Sequence, residues 1–214
     1  IKNFESRRNQ VDFAQDCLKN INEDSILFAE AETGIGKSFS YLVSSLLNDP
    51  DKKKVISTST HNLQNQLFSK DIPLIAKALN IDIKSIIVKG MNNYLCKHRY
   101  DELINQPQQY LNDDEVLEFL SLSVWAEVTF TGDISECNSF RFKQNFKIWN
   151  LIKYESDICQ LSKDFLHMGC FYQTMTKELK ESNLLIVNHA LLTSSINKNN
   201  NLINDCSICV VDEA

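Results

Sequence analysis

One short segment near the start of the chain combines glycines and polar side chains that can hold a phosphate chain. It spans residues 31–38 (AETGIGKS), after an apolar run and before a helical pattern. Gly34 and Gly36 allow backbone angles closed to other residues, so several N–H groups can point at one phosphate chain. Lys37 can reach the outer phosphates, and the Ser38 hydroxyl can bind magnesium. Strand, glycine loop, Lys-Ser and helix, in this order, predict a nucleotide phosphate site formed by Thr33, Gly34, Ile35, Gly36, Lys37 and Ser38.

Ala31 departs from the general pattern G-x-x-x-x-G-K-[ST], because it stands where the first glycine usually lies. An alanine is tolerated there if the position does not need a positive φ. The alternative is a chance glycine turn before a helix. The added Lys-Ser pair and the flanking strand and helix patterns favour the phosphate site.

Two carboxylates follow the last apolar run of the chain, residues 207–211. In parallel α/β sheets, sites lie where strands end. Asp212 could hold magnesium, directly or through water, and Glu213 could orient and deprotonate an attacking water. The alternative is a strand that ends at a solvated acidic turn. Beside a phosphate loop, we predict Lys37, Asp212 and Glu213 as the catalytic set.

Strand-like and helical patterns alternate in a way that places these groups on one sheet. The predicted strands are 25–29, 54–59, 84–89, 184–187 and 207–211, and the predicted helices around them are 8–20, 61–70, 72–79 and 172–181. This alternation predicts an α/β fold with a parallel sheet covered by helices. Between them the strand signals thin out, and helical pieces such as 114–128 and 140–152 predominate. The predicted domains are therefore a first part (1–90), a mainly helical insertion (91–175) and a return to the sheet (176–214).

Composition sets outer limits on the class of protein. The chain has 214 residues, 43% hydrophobic and 23% charged, which is typical of a globular domain. No segment has the length of a membrane span or the form of a signal peptide, so we expect a cytoplasmic protein. The net charge of −6 gives no overall basic footprint for nucleic acid, although a local basic groove remains compatible with it. Seven cysteines, an odd number, favour buried thiols or metal ligands over a disulfide framework.

Taken together, the motifs resemble the first motor domain of a superfamily 2 DNA helicase of the DinG/XPD type, over nearly the whole chain. The matching segments, in chain order, are 7–10 (RRNQ, the Q motif), 31–38 (motif I), 55–67 (motif Ia), 89–96 (KGMNNYLC, which leads into an iron–sulfur domain), 188–192 (NHALL) and 212–214 (DEA, the start of a DEAH box).

This resemblance implies a P-loop NTPase with a RecA-like sheet, using ATP and Mg2+ and translocating 5′ to 3′ on single-stranded or forked DNA. It implies adenine recognition by Arg7 and Gln10, and DNA-backbone contacts from Thr58, Thr60, Asn62 and Gln66. In relatives, the motifs that complete hydrolysis lie in further helicase domains beyond Ala214. The 214 residues alone are therefore expected to bind nucleotide weakly and to hydrolyse little ATP.

The same resemblance implies an iron–sulfur insertion with one cysteine after N-Y-x and three more spaced C-x4-C-x5-C. Cys96, Cys159 and Cys170 fill three of these positions, and Asp164 occupies the remaining one. Three interpretations compete: a [4Fe–4S] cluster with Asp164, Cys137, His167 or solvent as fourth ligand, a [3Fe–4S] or labile cluster, and a domain without metal. Zinc is a minor fourth option. The remaining cysteines, Cys17, Cys206 and Cys209, are expected to pack in the core.

Two other classes of function stay open at this point. The motor could serve another activity, as in an exonuclease or a CRISPR-associated DinG-like protein. Alternatively, the scaffold could act as a non-hydrolysing DNA-binding or redox-sensing module. The intact motif I and the pair Asp212 and Glu213 argue against the second alternative.

Overall fold

The computed structural model describes residues 7–32, 34–141, 145–157, 169–197 and 205–213. The chain divides into two compact units, one made of residues 1–88 and 181–214 and the other of residues 89–180.

Nine α-helices occur in the described part of the chain: α1 (Arg8–Asn22), α2 (Lys37–Asn48), α3 (His61–Gln66), α4 (Ile72–Leu79), α5 (Lys97–Asn105), α6 (Asp113–Val128), α7 (Phe146–Ile152), α8 (Phe171–Glu181) and α9 (His189–Asn197). The strands are β1 (Lys54–Thr58), β2 (Ser85–Ile87), β3 (Leu184–Asn188) and β4 (Ile208–Val211). A π-helical turn, Leu67–Asp71, joins α3 to α4, so two helices predicted as separate form one continuous helical segment.

The first unit is an α/β layer structure, as predicted. Its four strands form one parallel sheet in the order β2-β3-β1-β4. Every residue of β1 is buried, and so are the first four of β3, because helices cover the sheet. Such two-sided burial explains why these strands read as continuous apolar runs in the sequence. The sheet is consistent with a RecA-like fold.

The predicted first strand, residues 25–29, is wrong. These residues follow α1 without joining the sheet, and two of their apolar side chains face outward, with Ile26 82% and Phe28 93% exposed. A strand needs a hydrogen-bonded neighbour, and in the described residues β4 pairs only with β1. The segment is apolar, as strands often are, but an apolar pattern alone does not specify a neighbouring strand with which to pair.

Helices α1 and α2 cover the sheet through a shared apolar core. Leu42 and Leu46 on α2 are almost fully buried and belong to one cluster with Ile56 of β1 and Cys17 of α1. Cys17 therefore packs in the core, as predicted. Cys209, on β4, is exposed, so the expectation of core packing is wrong for this residue, because the strand has no neighbour on that side among the described residues.

The second unit is mainly helical and has its own core around Trp149 of α7, which is 1% exposed. The indole Nε1 of Trp149 donates to the carbonyl of Asn92 at 2.8 Å, so its one polar atom is satisfied. Helix α6 was predicted almost to the residue, and it begins with a capping box between Asn112 and Glu115. Helix α7 begins at Phe146, later than the predicted residue 140. No helix within the described ranges is long and apolar enough to cross a membrane.

Candidate functional site

The glycine loop has the backbone that phosphate binding requires. Gly34 and Gly36 have φ of 87° and 92°, in the left-handed region that favours glycine. Gly36 is the residue before α2, so the loop leads directly into a helix N-terminus at Lys37. Ala31 does not have a positive φ, which explains why alanine is tolerated there. Thr33 lies outside the described residues.

Side chains at the N-terminal end of α1 donate hydrogen bonds to this loop. Arg7 Nη1 donates to the carbonyl of Gly34 at 3.0 Å, and Gln10 Nε2 donates to the carbonyl of Gly36 at 3.3 Å. Ser40 Oγ donates in turn to the Gln10 carbonyl at 3.0 Å. Arg7 and Gln10 therefore hold loop carbonyls in this structure. Their contact with adenine stays a prediction.

The Gly36 position offers a test of this arrangement. A Cβ atom there would lie 2.2 Å from Gln10 Nε2, whereas a Cβ at Gly34 would meet nothing within 4 Å. We expect both Gly34→Ala and Gly36→Ala to cost about 1–3 kcal/mol from backbone strain. Gly36→Ala should cost about 1 kcal/mol more, because it also displaces the Gln10 hydrogen bond. Urea unfolding of the two variants measures the difference, and equal losses would argue against a role for Gln10 in holding the loop.

Both carboxylates lie at the end of β4, where the sheet pairing continues one residue further. The backbone N–H of Asp212 donates to the carbonyl of Ser57 at 2.9 Å. The Asp212 carboxylate is half-buried, and its Oδ2 accepts a hydrogen bond from Tyr41 Oη at 2.9 Å. Glu213 is exposed and has a φ of 60°.

Tyr41 is a functional residue that the motif analysis missed. It lies on α2, one turn after Lys37 and Ser38, and is 6% exposed. Its hydroxyl donates a hydrogen bond to Asp212. Burial, and then the charge of Asp212, raises the pKa of Tyr41, so the hydroxyl stays protonated and donates to the carboxylate. The signal available in the sequence was the spacing of three and four residues that places it on the same helix face.

Tyr41 connects Asp212 to the helix that carries the other predicted magnesium ligand, Ser38. Asp212 accepts from Tyr41, which lies three residues after Ser38 on α2, so the end of β4 lies beside the first turns of this helix. Hydroxyl and carboxylate oxygens are the hard ligands that Mg2+ prefers, so this donor set fits the ion. Lys37, Tyr41, Asp212 and Glu213 also line a cavity of about 680 Å3, whose lining includes Ala31 and residues of β4.

The segment after β1 contains the residues that the sequence predicts at DNA. Thr60, Asn62 and Gln66 are exposed, and Thr60 Oγ1 also caps α3 by accepting from the N–H of Leu63. Gln66 Nε2 donates to Asp71 at 3.1 Å. Thr58 is fully buried, and its hydroxyl donates to the carbonyl of Thr60 at 3.3 Å. The contact of Thr58 with a DNA phosphate stays a prediction.

A second polar pair at the same edge of the sheet was not predicted. Ser57 Oγ and His189 Nδ1 are 2.7 Å apart, which joins β1 to the start of α9. His189 Nε2 and Gln64 Nε2 are buried without a hydrogen-bond partner. Buried polar atoms without partners are rare and costly, so these two nitrogens mark a polar position at the carboxyl ends of β1 and β3.

In the second unit, Cys96, Cys137 and Cys170 are free and buried. Cys137 packs within the apolar core around Trp149, which favours a packing role for it. Cys96 and Cys170 instead lie directly before the first residues of α5 and α8.

The segments around these two cysteines approach each other. The rings of Tyr94 and Tyr172 are 5.7 Å apart, and those of Tyr154 and Tyr172 are 4.3 Å apart. Cys159, Asp164 and His167 lie outside the described residues. Within the described ranges, no three histidine, cysteine or acidic side chains converge as a metal site.

Comparison with known proteins finds relatives over the whole chain, although no family model matches it. The chain is 35% identical to the "ATP-dependent DNA helicase YoaA" of Haemophilus influenzae and 32% identical to the protein of the same name from Escherichia coli. It is 28% identical to the "3′-5′ exonuclease DinG" of Bacillus subtilis. The alignments cover 100%, 100% and 99% of this chain. They cover 33% and 34% of the two YoaA proteins and 22% of DinG, so the chain spans about a third or less of these relatives.

Proposed function

Because this chain belongs to the family of YoaA and DinG, the DinG/XPD-like helicases, we propose that it forms the ATP-binding part of a DNA helicase motor. Residues 1–88 and 181–214 would be the first part of the motor domain, and residues 89–180 an iron–sulfur-type insertion. The observation that carries the proposal is the hydrogen bond from Tyr41, on the helix that begins at the phosphate loop, to Asp212 at the end of β4, because it brings this carboxylate beside the loop. A phosphate loop alone would indicate only phosphate binding, whereas these two groups together form both sides of a hydrolytic site.

In this proposal each residue has one task. The N–H groups of 34–38 and the Lys37 ammonium hold the phosphates, and the fixed orientation of these donors stabilises charge that develops during transfer. Ser38 and Asp212 would hold Mg2+, which supplies charge neutralisation at the outer phosphates. Glu213 takes a proton from the attacking water. Arg7 and Gln10 lie at the loop and would contact the base.

The DNA-binding side of the proposal is based on Thr60, Asn62 and Gln66, the exposed predicted residues after β1. Polar side chains and backbone N–H groups there would contact phosphates of single-stranded or forked DNA, which carry no sequence information. The remaining helicase domains of the full-length protein would provide the rest of the DNA-binding surface. The 5′ to 3′ direction and a cytoplasmic location belong to the same proposal.

Unwinding of a forked duplex by the full-length protein tests the function. The proposal expects strand separation with Mg2+ and ATP, and none with a non-hydrolysable ATP analogue. A fork with only a 5′ tail should be opened, and a fork with only a 3′ tail should not. ATP-independent unwinding, or none in any condition, would contradict the proposed function.

We also propose that the insertion holds an iron–sulfur cluster through Cys96, Cys159 and Cys170, with Asp164 at the fourth position. The burial of Cys96 and Cys170, the helix N-termini beside them and the approach of their segments support this proposal. The cluster would be [4Fe–4S], or [3Fe–4S] if the carboxylate does not bind.

Two serine variants of the anaerobically purified protein test the cluster. We expect Cys96→Ser to lose iron and the visible absorbance of iron–thiolate charge transfer, because it removes a ligand. Cys137→Ser is the matched control, since this buried thiol packs in the apolar core and should keep the iron. Wild-type protein without iron, or equal iron in both variants, would contradict the assignment.

A further inference from the structure

One side-chain contact joins the predicted catalytic base to the segment predicted at DNA. Ser59 Oγ donates a hydrogen bond to Glu213 Oε2. Ser59 is the first residue after β1, and Glu213 is the second after β4. These strands are parallel neighbours, with Ser57 opposite Val211, so both residues leave the sheet at the same edge.

The backbone of Glu213 is strained in this conformation. Its φ of 60° lies in the left-handed region, which residues other than glycine rarely adopt. Such a conformation persists only when surrounding contacts hold it. On the carboxylate side the contact is Ser59, while the neighbouring Asp212 is held separately by Tyr41 and by the Ser57 carbonyl. Loss of the Ser59 hydrogen bond would therefore free Glu213 to change its orientation without moving Asp212.

Ser59 is part of a short segment that is held by hydrogen bonds on the residues beside it. Thr58 Oγ1 donates to the carbonyl of Thr60, and Thr60 Oγ1 accepts from the N–H of Leu63 in α3. Thr60 has an extended backbone, with φ −121° and ψ 147°. In extended chain, successive side chains point to opposite sides, so Ser59 and Thr60 face different ways. A phosphate bound by Thr60 on one side would shift Ser59 on the other.

The contact also bears on the chemistry of Glu213. A carboxylate that accepts a hydrogen bond from a hydroxyl has one oxygen already occupied. A general base needs a free oxygen aimed at the water whose proton it takes. Glu213 held by Ser59 is thus less free to aim an oxygen at the attacking water than Glu213 released from it.

We propose that Ser59 is a positioning residue that restrains Glu213 until DNA binds to the segment after β1. Phosphate contacts at Thr60 and Asn62 would move the segment, break the Ser59–Glu213 hydrogen bond and let Glu213 turn towards the attacking water. This inference rests on the proposed function, since it assigns hydrolysis to Glu213 and DNA contact to residues 60–66. Release of Glu213 when DNA binds after β1 would make ATP hydrolysis depend on DNA.

Steady-state ATP hydrolysis by the full-length protein, with and without single-stranded DNA, tests the restraint. We expect Ser59→Ala to raise the DNA-free rate about threefold to tenfold, a range below the full effect of a charge-assisted hydrogen bond because this pair is exposed. The rate at saturating DNA should stay close to that of the wild type, so the stimulation ratio falls. Ser59→Thr keeps the hydroxyl and should restore the wild-type ratio.

Ser69→Ala is the matched control. Ser69 is also exposed, and its hydroxyl donates to the carbonyl of Asn65 within the helical segment that begins with α3. It should leave both rates unchanged. The affinity of Ser59→Ala for a fluorescent ATP analogue and its thermal unfolding midpoint should equal those of the wild type. A purely structural role for Ser59 would lower both rates and the unfolding midpoint together.

The outcomes separate this inference from the function on which it rests. A wild-type protein whose hydrolysis is not stimulated by DNA overturns the proposed function and the restraint with it. A stimulated wild type combined with an unchanged ratio in Ser59→Ala overturns the restraint alone. A lowered DNA-free rate in Ser59→Ala also overturns it, because Ser59 would then hold Glu213 in its productive orientation.

Discussion

Replacing Lys37 with alanine is expected to lower ATP hydrolysis by the full-length protein about 100-fold to 1000-fold. Lys37 is the first residue of α2 and lines the same cavity as Tyr41 and Asp212. Removing one preorganised donor from the site of developing charge costs about 2.7–4 kcal/mol of transition-state stabilisation, which corresponds to this range. Strand separation should fall with hydrolysis. The measurement is kcat at saturating ATP and DNA.

Lys52→Ala is the matched control for this variant. Its side chain is 61% exposed and lies 3.5 Å from Asp49, in an ion pair that contributes little to stability. The control should hydrolyse ATP at the wild-type rate. If Lys37→Ala kept more than about a tenth of the wild-type kcat, a change worth less than about 1.4 kcal/mol, the assignment of Lys37 to the phosphates would be wrong.

Replacing Glu213 with glutamine is expected to have the second large effect on ATP hydrolysis. Glutamine keeps the size of the side chain and an oxygen that can accept from Ser59, but it cannot take a proton from water. We expect kcat to fall about 100-fold to 10,000-fold, the usual contribution of a general base. The Kd for a non-hydrolysable ATP analogue should stay the same, because Glu213 does not hold the phosphates.

Glu23→Gln serves as the control, since Glu23 is an exposed residue at the end of α1. It should change neither kcat nor Kd. A Glu213→Gln protein with normal turnover would assign the base elsewhere. A protein with weakened binding and normal kcat would give Glu213 a role in nucleotide affinity instead.

The parts of the site that obey local rules could be predicted from the sequence. Gly34 and Gly36 have positive φ because a phosphate loop needs backbone that only glycine adopts easily, and this requirement is visible as residue type. Strands β1 and β3 were predicted because two-sided burial favours β-branched and apolar runs. Helix α6 was predicted because its start carries a capping box.

Features that depend on distant partners could not be predicted. Residues 25–29 are apolar enough for a strand, but strand formation depends on a neighbour that the local sequence does not specify. The contacts of Tyr41 with Asp212 and of Ser59 with Glu213 join residues more than 150 positions apart. The burial of Thr58 also depends on distant partners, because β1 lies between β3 and β4 and every residue of this central strand is buried.

Hydrogen exchange of the full-length protein, with and without Mg2+ and a non-hydrolysable ATP analogue, tests the central claim most directly. The claim is that the glycine loop and the end of β4 belong to one nucleotide site. It predicts slower exchange, on nucleotide binding, both at the amides of residues 34–38 and at those of Asp212 and Glu213. Protection of the loop without any change at Asp212 and Glu213, or protection at neither segment, would contradict it.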